Sequence, residues 1–117
     1  KRDWGHAEDY VKAMWLMLQE TTPQDFVVGT GETHSIREFI ECAHEKGIRW
    51  EGSGIDEVGY CKETGAVVVK VNPEFYRPAE VDVLIADARK AYEVLNWRPS
   101  IDFKTLVKRM VNYDCKL

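Results

Sequence analysis

The chain has 117 residues, of which 44% are hydrophobic and 31% are charged, as in an ordinary globular domain. Its net charge of −4 gives no broad basic field for nucleic acid, and no apolar run approaches the roughly 20 residues of a membrane span. The sequence starts at Lys1 with neither an initiating Met nor a signal peptide, and its three cysteines lack a C-x-x-C spacing. We therefore expect part of a longer cytoplasmic protein with reduced thiols.

The first half of the chain is predicted to alternate between helix and strand. Apolar residues at helical spacing predict an amphipathic helix over about 7–20, and residues 25–28 are predicted to form a short strand. Ser35 and Glu38 make a capping box that predicts the start of a second helix. Gly47 stands where a glycine is expected just after the end of that helix.

The second half is predicted to contain two more strands and two more helices. Strands are predicted at 48–51 and 66–71. The glycine-rich segment between them, 52–65, is predicted to be a loop with a hairpin turn at 63–65. Asp87 and Asp102 each stand at the predicted start of a helix. The tryptophans predicted to lie in the core are Trp4, Trp15, Trp50 and Trp97. The fold class is therefore α/β, a small assembly of helices with a few short strands.

A glycine-containing turn at residues 29–31 imitates a dinucleotide-binding fingerprint. It follows a predicted strand, precedes a predicted helix, and is followed about 20 residues later by Glu51. That fingerprint needs a third glycine for close packing of helix and strand, but His34 occupies the position. We interpret the segment as a strand-to-helix turn whose glycines supply unusual backbone angles, with His34 as a loop or interface residue. No cofactor-binding residue is predicted here.

Two basic clusters are candidates for anion binding. Arg2 precedes the first predicted helix, where its guanidinium and the helix N-terminus would both attract phosphate, although a surface arginine is the plainer alternative. Arg77 is held extended by Pro78, and Glu80 could accept hydrogen bonds from sugar hydroxyls. A structural pair between Arg77 and Glu80 is the alternative there. The two arginines could converge on one diphosphate, but the sequence alone does not establish that they meet.

These clusters resemble the extended short-chain dehydrogenase/reductase family of nucleotide-sugar enzymes. The general motifs are R-D-W at 2–4, R-P-A-E at 77–80, and A-D-x-x-K-A followed by L-x-W-x-P within 86–99. More specific motifs resemble those of the GDP-mannose 4,6-dehydratases within that family. These motifs are RDWGHAEDYV at 2–11, G-E-x-H-S-x-R-E-F at 31–39, E-V-G with C-K-E-T-G within 57–65, and FYRPAEVD at 75–82.

The resemblance implies that two parts of a longer enzyme have separate functions. An N-terminal Rossmann domain, absent from this chain, would bind NADP(H), and residues 1–117 would form the smaller C-terminal part that holds the nucleotide sugar. The family converts GDP-mannose to GDP-4-keto-6-deoxymannose on the route to GDP-fucose, and the full-length enzyme would be a homo-oligomer. By the same resemblance, Arg2 and Arg77 hold the diphosphate and Glu80 lies near the ribose.

The catalytic set implied by the resemblance has no counterpart in this sequence. The family uses a Thr or Ser, a Glu, and a Tyr-x-x-x-Lys pair, and none of the five tyrosines here has a lysine four residues later. No catalytic residue and no metal site is predicted, so the chain by itself is expected to be inactive. A related nucleotide-sugar epimerase or dehydratase, and a non-catalytic binding module, remain alternatives.

Overall fold

The computed structural model describes residues 1–116, and these residues confirm the α/β fold class. They form four α-helices and one three-stranded antiparallel sheet with strand order β1-β2-β3. The helices are α1 (Ala7–Leu18), α2 (Ile36–Ala43), α3 (Arg89–Leu95) and α4 (Phe103–Asp114). The strands are β1 (Ile48–Glu51), β2 (Val58–Cys61) and β3 (Val67–Lys70). Among these residues no helix combines the length and the apolar character needed to cross a membrane.

Local capping signals place the starts of α2 and α4 correctly. The Ser35 side chain accepts a hydrogen bond from the Glu38 amide, and the Glu38 side chain accepts one from the Ser35 amide, so the capping box is confirmed. Asp102 caps α4 by accepting from the amide of Thr105. The α3 prediction is one residue early, because Ala88 rather than Asp87 is the N-cap. These signals work because donor and acceptor lie within three residues of each other.

The strand prediction at 25–28 is wrong for the described part of the chain. The segment forms no ladder there, although the carbonyl of Asp25 accepts a hydrogen bond from Lys90 Nζ at 2.7 Å. Strand propensity alone does not make a strand, since the backbone also needs a partner for its hydrogen bonds. Gly47 is likewise not the residue after the helix, because α2 ends earlier, at Ala43, and is capped by His44.

The predicted loop at 52–65 contains the central strand of the sheet. β2 pairs with β1 from Ile48 opposite Cys61 to Glu51 opposite Val58, and it pairs with β3 on its other side. Gly59 lowers the strand propensity of this segment, but it suits the packing, because a Cβ atom there would lie only 3.0 Å from the ring of Trp50. The hairpin turn at 63–65 is confirmed, because the Gly65 amide donates to the carbonyl of Cys61 at 2.8 Å.

The helices pack as two pairs, α1 with α3 and α2 with α4. The first pair encloses the buried residues of one core, which are Ala13, Ala91, Leu95 and Trp97. In the second pair the rings of Trp4, Phe39 and Phe103 lie against one another. Trp97 therefore occupies the core as predicted, whereas Trp4 and Trp50 are only half-buried and Trp15 is 59% exposed.

The predicted apolar face of α1 faces outward. Its exposed residues are Val11, Met14, Trp15 and Leu18, the last with 82% of its surface accessible. The chain is also elongated, since its dimensions are 57 × 35 × 21 Å and its radius of gyration is 17.7 Å. A compact domain of this length would have a radius of gyration of roughly 13 Å. The fold thus leaves a large part of its apolar surface uncovered.

Candidate functional site

The backbone around Arg2 lies between two distant segments of the chain. On one side it pairs with His34 through two backbone hydrogen bonds of 2.9 Å, one in each direction. On the other side Arg2 Nη1 donates to the carbonyl of Val81 at 2.7 Å. The amide of Leu84 in turn donates to the carbonyl of Lys1 at 3.0 Å. The guanidinium is therefore held beside the segment that carries Arg77 and Glu80.

Arg2 and Arg77 meet at a single carboxylate oxygen. Arg2 Nη2 lies 3.0 Å from Glu80 Oε1, and Arg77 Nη1 lies 3.6 Å from the same atom. Two guanidiniums and one carboxylate leave a net local charge of about +1. The Arg77 side chain is 75% exposed, and exposed ion pairs stabilise a protein by only about 0–1 kcal/mol. A phosphate could therefore displace this pair at little cost.

An open groove of about 650 Å³ lies beside this triad and is called here the arginine groove. Its lining includes Arg2, Arg37, Trp50, Lys70, Tyr76 and Glu80. A neighbouring depression of about 580 Å³ shares Lys70, Tyr76 and Glu80 with it and adds Arg77. Glu80 thus stands at the boundary of the two, where one ligand could reach both arginines.

The arginine groove contains further charged residues that were not predicted from the sequence, among them Arg37 and Lys70. Arg37 is neutralised by Glu57, with Nη2 2.7 Å from Oε2, and this hydrogen-bonded pair holds the pKa of Glu57 below its ordinary value. Lys70 has no ion-pair partner among residues 1–116 and is a further cation available to an anionic ligand. Its only signal in the sequence is its place at the end of a β-branched strand, which does not indicate what it faces.

The turn at residues 29–31 donates its hydrogen bonds to the protein itself. The amides of Thr30 and Gly31 donate to the carboxylate of Asp3 at 2.8 and 2.9 Å. A carboxylate on these amides takes the place a pyrophosphate would need and repels it. Gly31 has a φ of 76°, so it supplies the unusual backbone angle that was predicted for this turn. Gly29 is required for a different reason, because Ala86 packs against it and leaves no room for a side chain. His34 stacks on Phe103 with ring centroids 3.9 Å apart.

A second open groove, of about 670 Å³, runs along this turn and the start of α3. Its arginines are already engaged, because Arg89 donates to both oxygens of Asp87 and Arg98 lies over the ring of Tyr92. The arginine groove is the better candidate for an anionic ligand, because at its boundary with the neighbouring depression the guanidiniums of Arg2 and Arg77 share one acceptor, Glu80. No group of His, Cys, Asp and Glu within residues 1–116 could hold a metal ion.

Comparisons with known proteins agree on one family. The family profile described as GDP-mannose 4,6 dehydratase matches residues 1–110. The chain is 53% identical to a GDP-mannose 4,6 dehydratase of Drosophila melanogaster and 56% identical to one of Homo sapiens, with the whole chain aligned in both cases. It is 52% identical over 97% of its length to one of Dictyostelium discoideum.

The same comparisons give the extent of the match. The chain spans 30% of the Drosophila protein, 32% of the human protein and 33% of the Dictyostelium protein, which is about a third of each relative. The aligned region covers the whole chain in the Drosophila and human comparisons, so it includes the segments that carry Arg2 and Arg77. The chain belongs to the GDP-mannose 4,6-dehydratase family.

Proposed function

We propose that this chain is the substrate-binding portion of an enzyme that converts GDP-mannose to GDP-4-keto-6-deoxymannose, a hydro-lyase reaction on the route to GDP-fucose. The proposal rests chiefly on Arg2 and Arg77, which are far apart in sequence and share one oxygen of Glu80. Two guanidiniums at this spacing can donate to the two phosphates of a nucleoside diphosphate. We call the two side chains the diphosphate clamp.

Glu80 has two roles in this proposal. In the structure it holds the two guanidiniums together, at 3.0 and 3.6 Å. When the diphosphate binds, phosphate oxygens take over as acceptors, and the carboxylate becomes available to a ribose hydroxyl. The structural-pair alternative keeps the contact between Arg77 and Glu80 but gives it no part in binding. The two interpretations therefore differ in what happens to ligand affinity when Arg77 is changed.

The cofactor that the family implies, NADP, does not fit the residues of this chain. The amides of Thr30 and Gly31, which most resemble a phosphate-binding turn, are taken by Asp3. We therefore propose that NADP and the catalytic residues belong to the N-terminal Rossmann domain, outside the 117 residues. The part described here would bind and orient the nucleotide sugar.

The rest of the enzyme would also cover the exposed apolar surface. Trp15 and Leu18 on α1 are exposed, and Val83 to Ile85 form a second exposed apolar run. The relatives are about three times as long as this chain, so a further domain large enough to cover both surfaces is part of the proposal. From the family resemblance we also propose that the full-length enzyme is a cytoplasmic homo-oligomer.

The chain by itself is expected not to turn over GDP-mannose, because it lacks the Tyr-x-x-x-Lys pair and a cofactor-binding turn. The chain is incubated with GDP-mannose and NADP, and the 4-keto product is measured by mass spectrometry. The full-length enzyme, assayed in parallel, should form the product. Steady product formation by the chain alone would show that catalytic residues lie within it and would contradict the division of labour.

Replacing Arg77 in the full-length enzyme is expected to weaken GDP binding. Arg77→Ala removes a charge-assisted partner of the phosphate and should cost about 2 kcal/mol, roughly a 30-fold increase in Kd. Arg77→Lys keeps the charge but loses the planar fork, so it should cost less. Glu80→Gln should also cost less, because an amide oxygen still accepts from a hydroxyl. Titration calorimetry with GDP measures each Kd, and thermal melting of the same samples reports stability.

Arg89→Ala is the matched control, since Arg89 is an exposed arginine paired with a nearby acid, Asp87, outside the arginine groove. It should leave GDP affinity unchanged. If Arg77→Ala also binds GDP as tightly as the parent enzyme, then the pair of Arg77 and Glu80 is structural and the clamp is wrong.

A further inference from the structure

Asp3 connects three segments of the chain through one carboxylate. Its Oδ1 accepts from the amide and the hydroxyl of Thr30, at 2.8 and 2.7 Å. Its Oδ2 accepts from the amides of Gly31 and Ala86, at 2.9 and 3.1 Å. Both oxygens therefore have two donors each. The segments joined are the turn before α2, the run that follows Glu80, and the strand-like start of the chain.

These are the segments that fix the position of Arg2. Arg2 pairs with His34, which follows the turn, and its guanidinium donates to Val81, which belongs to the run that ends at Ala86. Asp3 is the next residue along the backbone, and its carboxylate accepts hydrogen bonds from both the turn and Ala86. Its side chain thus sets the spacing between the backbone that carries Arg2 and the backbone that carries Glu80.

The packing of Gly29 supports this function independently of the hydrogen bonds. A Cβ atom built on Gly29 would lie 2.2 Å from the Cβ of Ala86 and 3.2 Å from Asp3 Oδ2. The turn and the Ala86 segment therefore approach each other more closely than two side chains allow. That close approach lets the amides of Gly31 and Ala86 reach the same carboxylate oxygen.

Only an ionised carboxylate satisfies this arrangement. Burial raises the pKa of Asp3, but hydrogen bonds from Thr30, Ala86 and Gly31 together outweigh it and hold the pKa below its ordinary value. An asparagine would present an NH2 group in place of one oxygen, and that group would face N–H donors instead of accepting from them. The substitution therefore separates one of the joined segments from the others while it scarcely changes the volume of the side chain.

We propose that Asp3 is a positioning residue that holds Arg2 and Arg77 at the separation the diphosphate requires. This inference rests on the proposed function, because it presupposes the diphosphate clamp. Asp3 itself does not touch the ligand in this proposal. It acts through the backbone positions of Arg2 and Glu80, and so its loss should weaken contacts to the phosphates and leave contacts to the nucleoside unchanged.

The test compares Asp3→Asn with Asp9→Asn in the full-length enzyme. Asp9 is a buried carboxylate that, like the partly buried Asp3, accepts several hydrogen bonds, here from Ser100 and Ile101, but it lies outside the arginine groove. Binding of GDP and of guanosine is measured for each variant well below its melting temperature. Asp3→Asn should raise the Kd for GDP by about tenfold or more and leave that for guanosine within twofold. Asp9→Asn should lower the melting temperature without changing either Kd.

A milder variant and Arg77→Ala complete the experiment. Thr30→Val removes a single donor to Asp3 and should raise the Kd for GDP about threefold, so the proposal stays testable if Asp3→Asn does not fold. If Arg77→Ala weakens GDP binding and neither Asp3→Asn nor Thr30→Val does, the positioning role is overturned and the clamp stands. Equal losses for GDP and guanosine in Asp3→Asn would also overturn it. If Arg77→Ala leaves GDP binding unchanged, the clamp is overturned and the positioning role with it.

Discussion

Trp97→Ala is expected to lower the free energy of unfolding by about 3–5 kcal/mol, because it leaves a cavity in the core between α1 and α3. The Trp97 side chain is only 2% exposed and contacts a cluster that includes Ala13 and Ala91. These neighbours are small, so they cannot expand to fill the space that an indole ring leaves. Urea unfolding followed by circular dichroism measures the loss against the unchanged chain.

The indole of Trp97 also anchors a buried polar network. Its Nε1 donates to the backbone carbonyl of Asp9 at 2.9 Å, and the Asp9 carboxylate accepts from Ser100 and Ile101. This network joins α1 to the segment before α4. Alanine at position 97 removes the indole donor from the carbonyl of Asp9, which keeps only the hydrogen bond it accepts within α1. The lost hydrogen bond adds about 0.5–1.5 kcal/mol to the cavity cost.

Two control variants separate these contributions. Trp97→Phe keeps an aromatic ring but removes the donor, so it should cost clearly less than Trp97→Ala. Trp15→Ala removes the same side chain from an exposed position on α1 and should change the stability of the isolated chain by under about 1 kcal/mol. A loss of similar size at positions 15 and 97 would contradict the assignment of the core.

The features that could be predicted from the sequence are the local ones. Ser35 and Asp102 cap their helices because each acceptor needs a donor only three residues away. The strand at 25–28 and the missed strand β2 depend on partners elsewhere. Residues 25–28 have strand propensity but no ladder among the described residues, while β2 has a glycine but two partners, β1 and β3. Pairing, and not propensity, decides which segments are strands.

The same distinction applies to the candidate site. Arg2, Arg77 and Glu80 were identified because they match motifs of the family, and the structure brings all three together. Their meeting depends on hydrogen bonds between residues about 80 positions apart, such as that from Leu84 to Lys1, and no local pattern encodes such a contact. Asp3 was overlooked for a related reason. Its sequence signal is its place in the R-D-W motif, which does not indicate its partners, and its four donors come from residues 30, 31 and 86.

The exposed face of α1 shows how a correct pattern can still mislead. Apolar residues at helical spacing predicted the helix, and the helix is present from Ala7 to Leu18. The face that these residues form is exposed, and the buried residues Asp9 and Ala13 lie on another side. Periodicity identifies an apolar face but not its partner. We propose that the N-terminal domain covers this face, and on that proposal Trp15→Ala should cost more in the full-length enzyme than in this chain.

Removing both arginines of the clamp is expected to raise the Kd for GDP by about 1,000-fold in the full-length enzyme, or roughly 4 kcal/mol. In either single variant, Glu80 keeps one guanidinium as its partner, at 3.0 Å from Arg2 or 3.6 Å from Arg77. In the double variant Arg2→Ala/Arg77→Ala the carboxylate has neither guanidinium and repels the phosphates. The combined loss should therefore exceed the sum of the two single losses, by about 0.5 kcal/mol or more.

Glu80→Gln in the double-alanine background provides the decisive comparison. It removes the unpaired negative charge, so it should recover part of the lost GDP affinity, although the same change in the parent enzyme weakens binding. Calorimetric titration of the parent enzyme, the single variants, the double variant and this triple variant measures the coupling directly. Glu80→Gln should weaken GDP binding in the parent enzyme and strengthen it in the double variant only if the two arginines and Glu80 act on one ligand charge. Strictly additive losses, with no recovery in the triple variant, would mean that the two arginines act on GDP independently of each other and of Glu80.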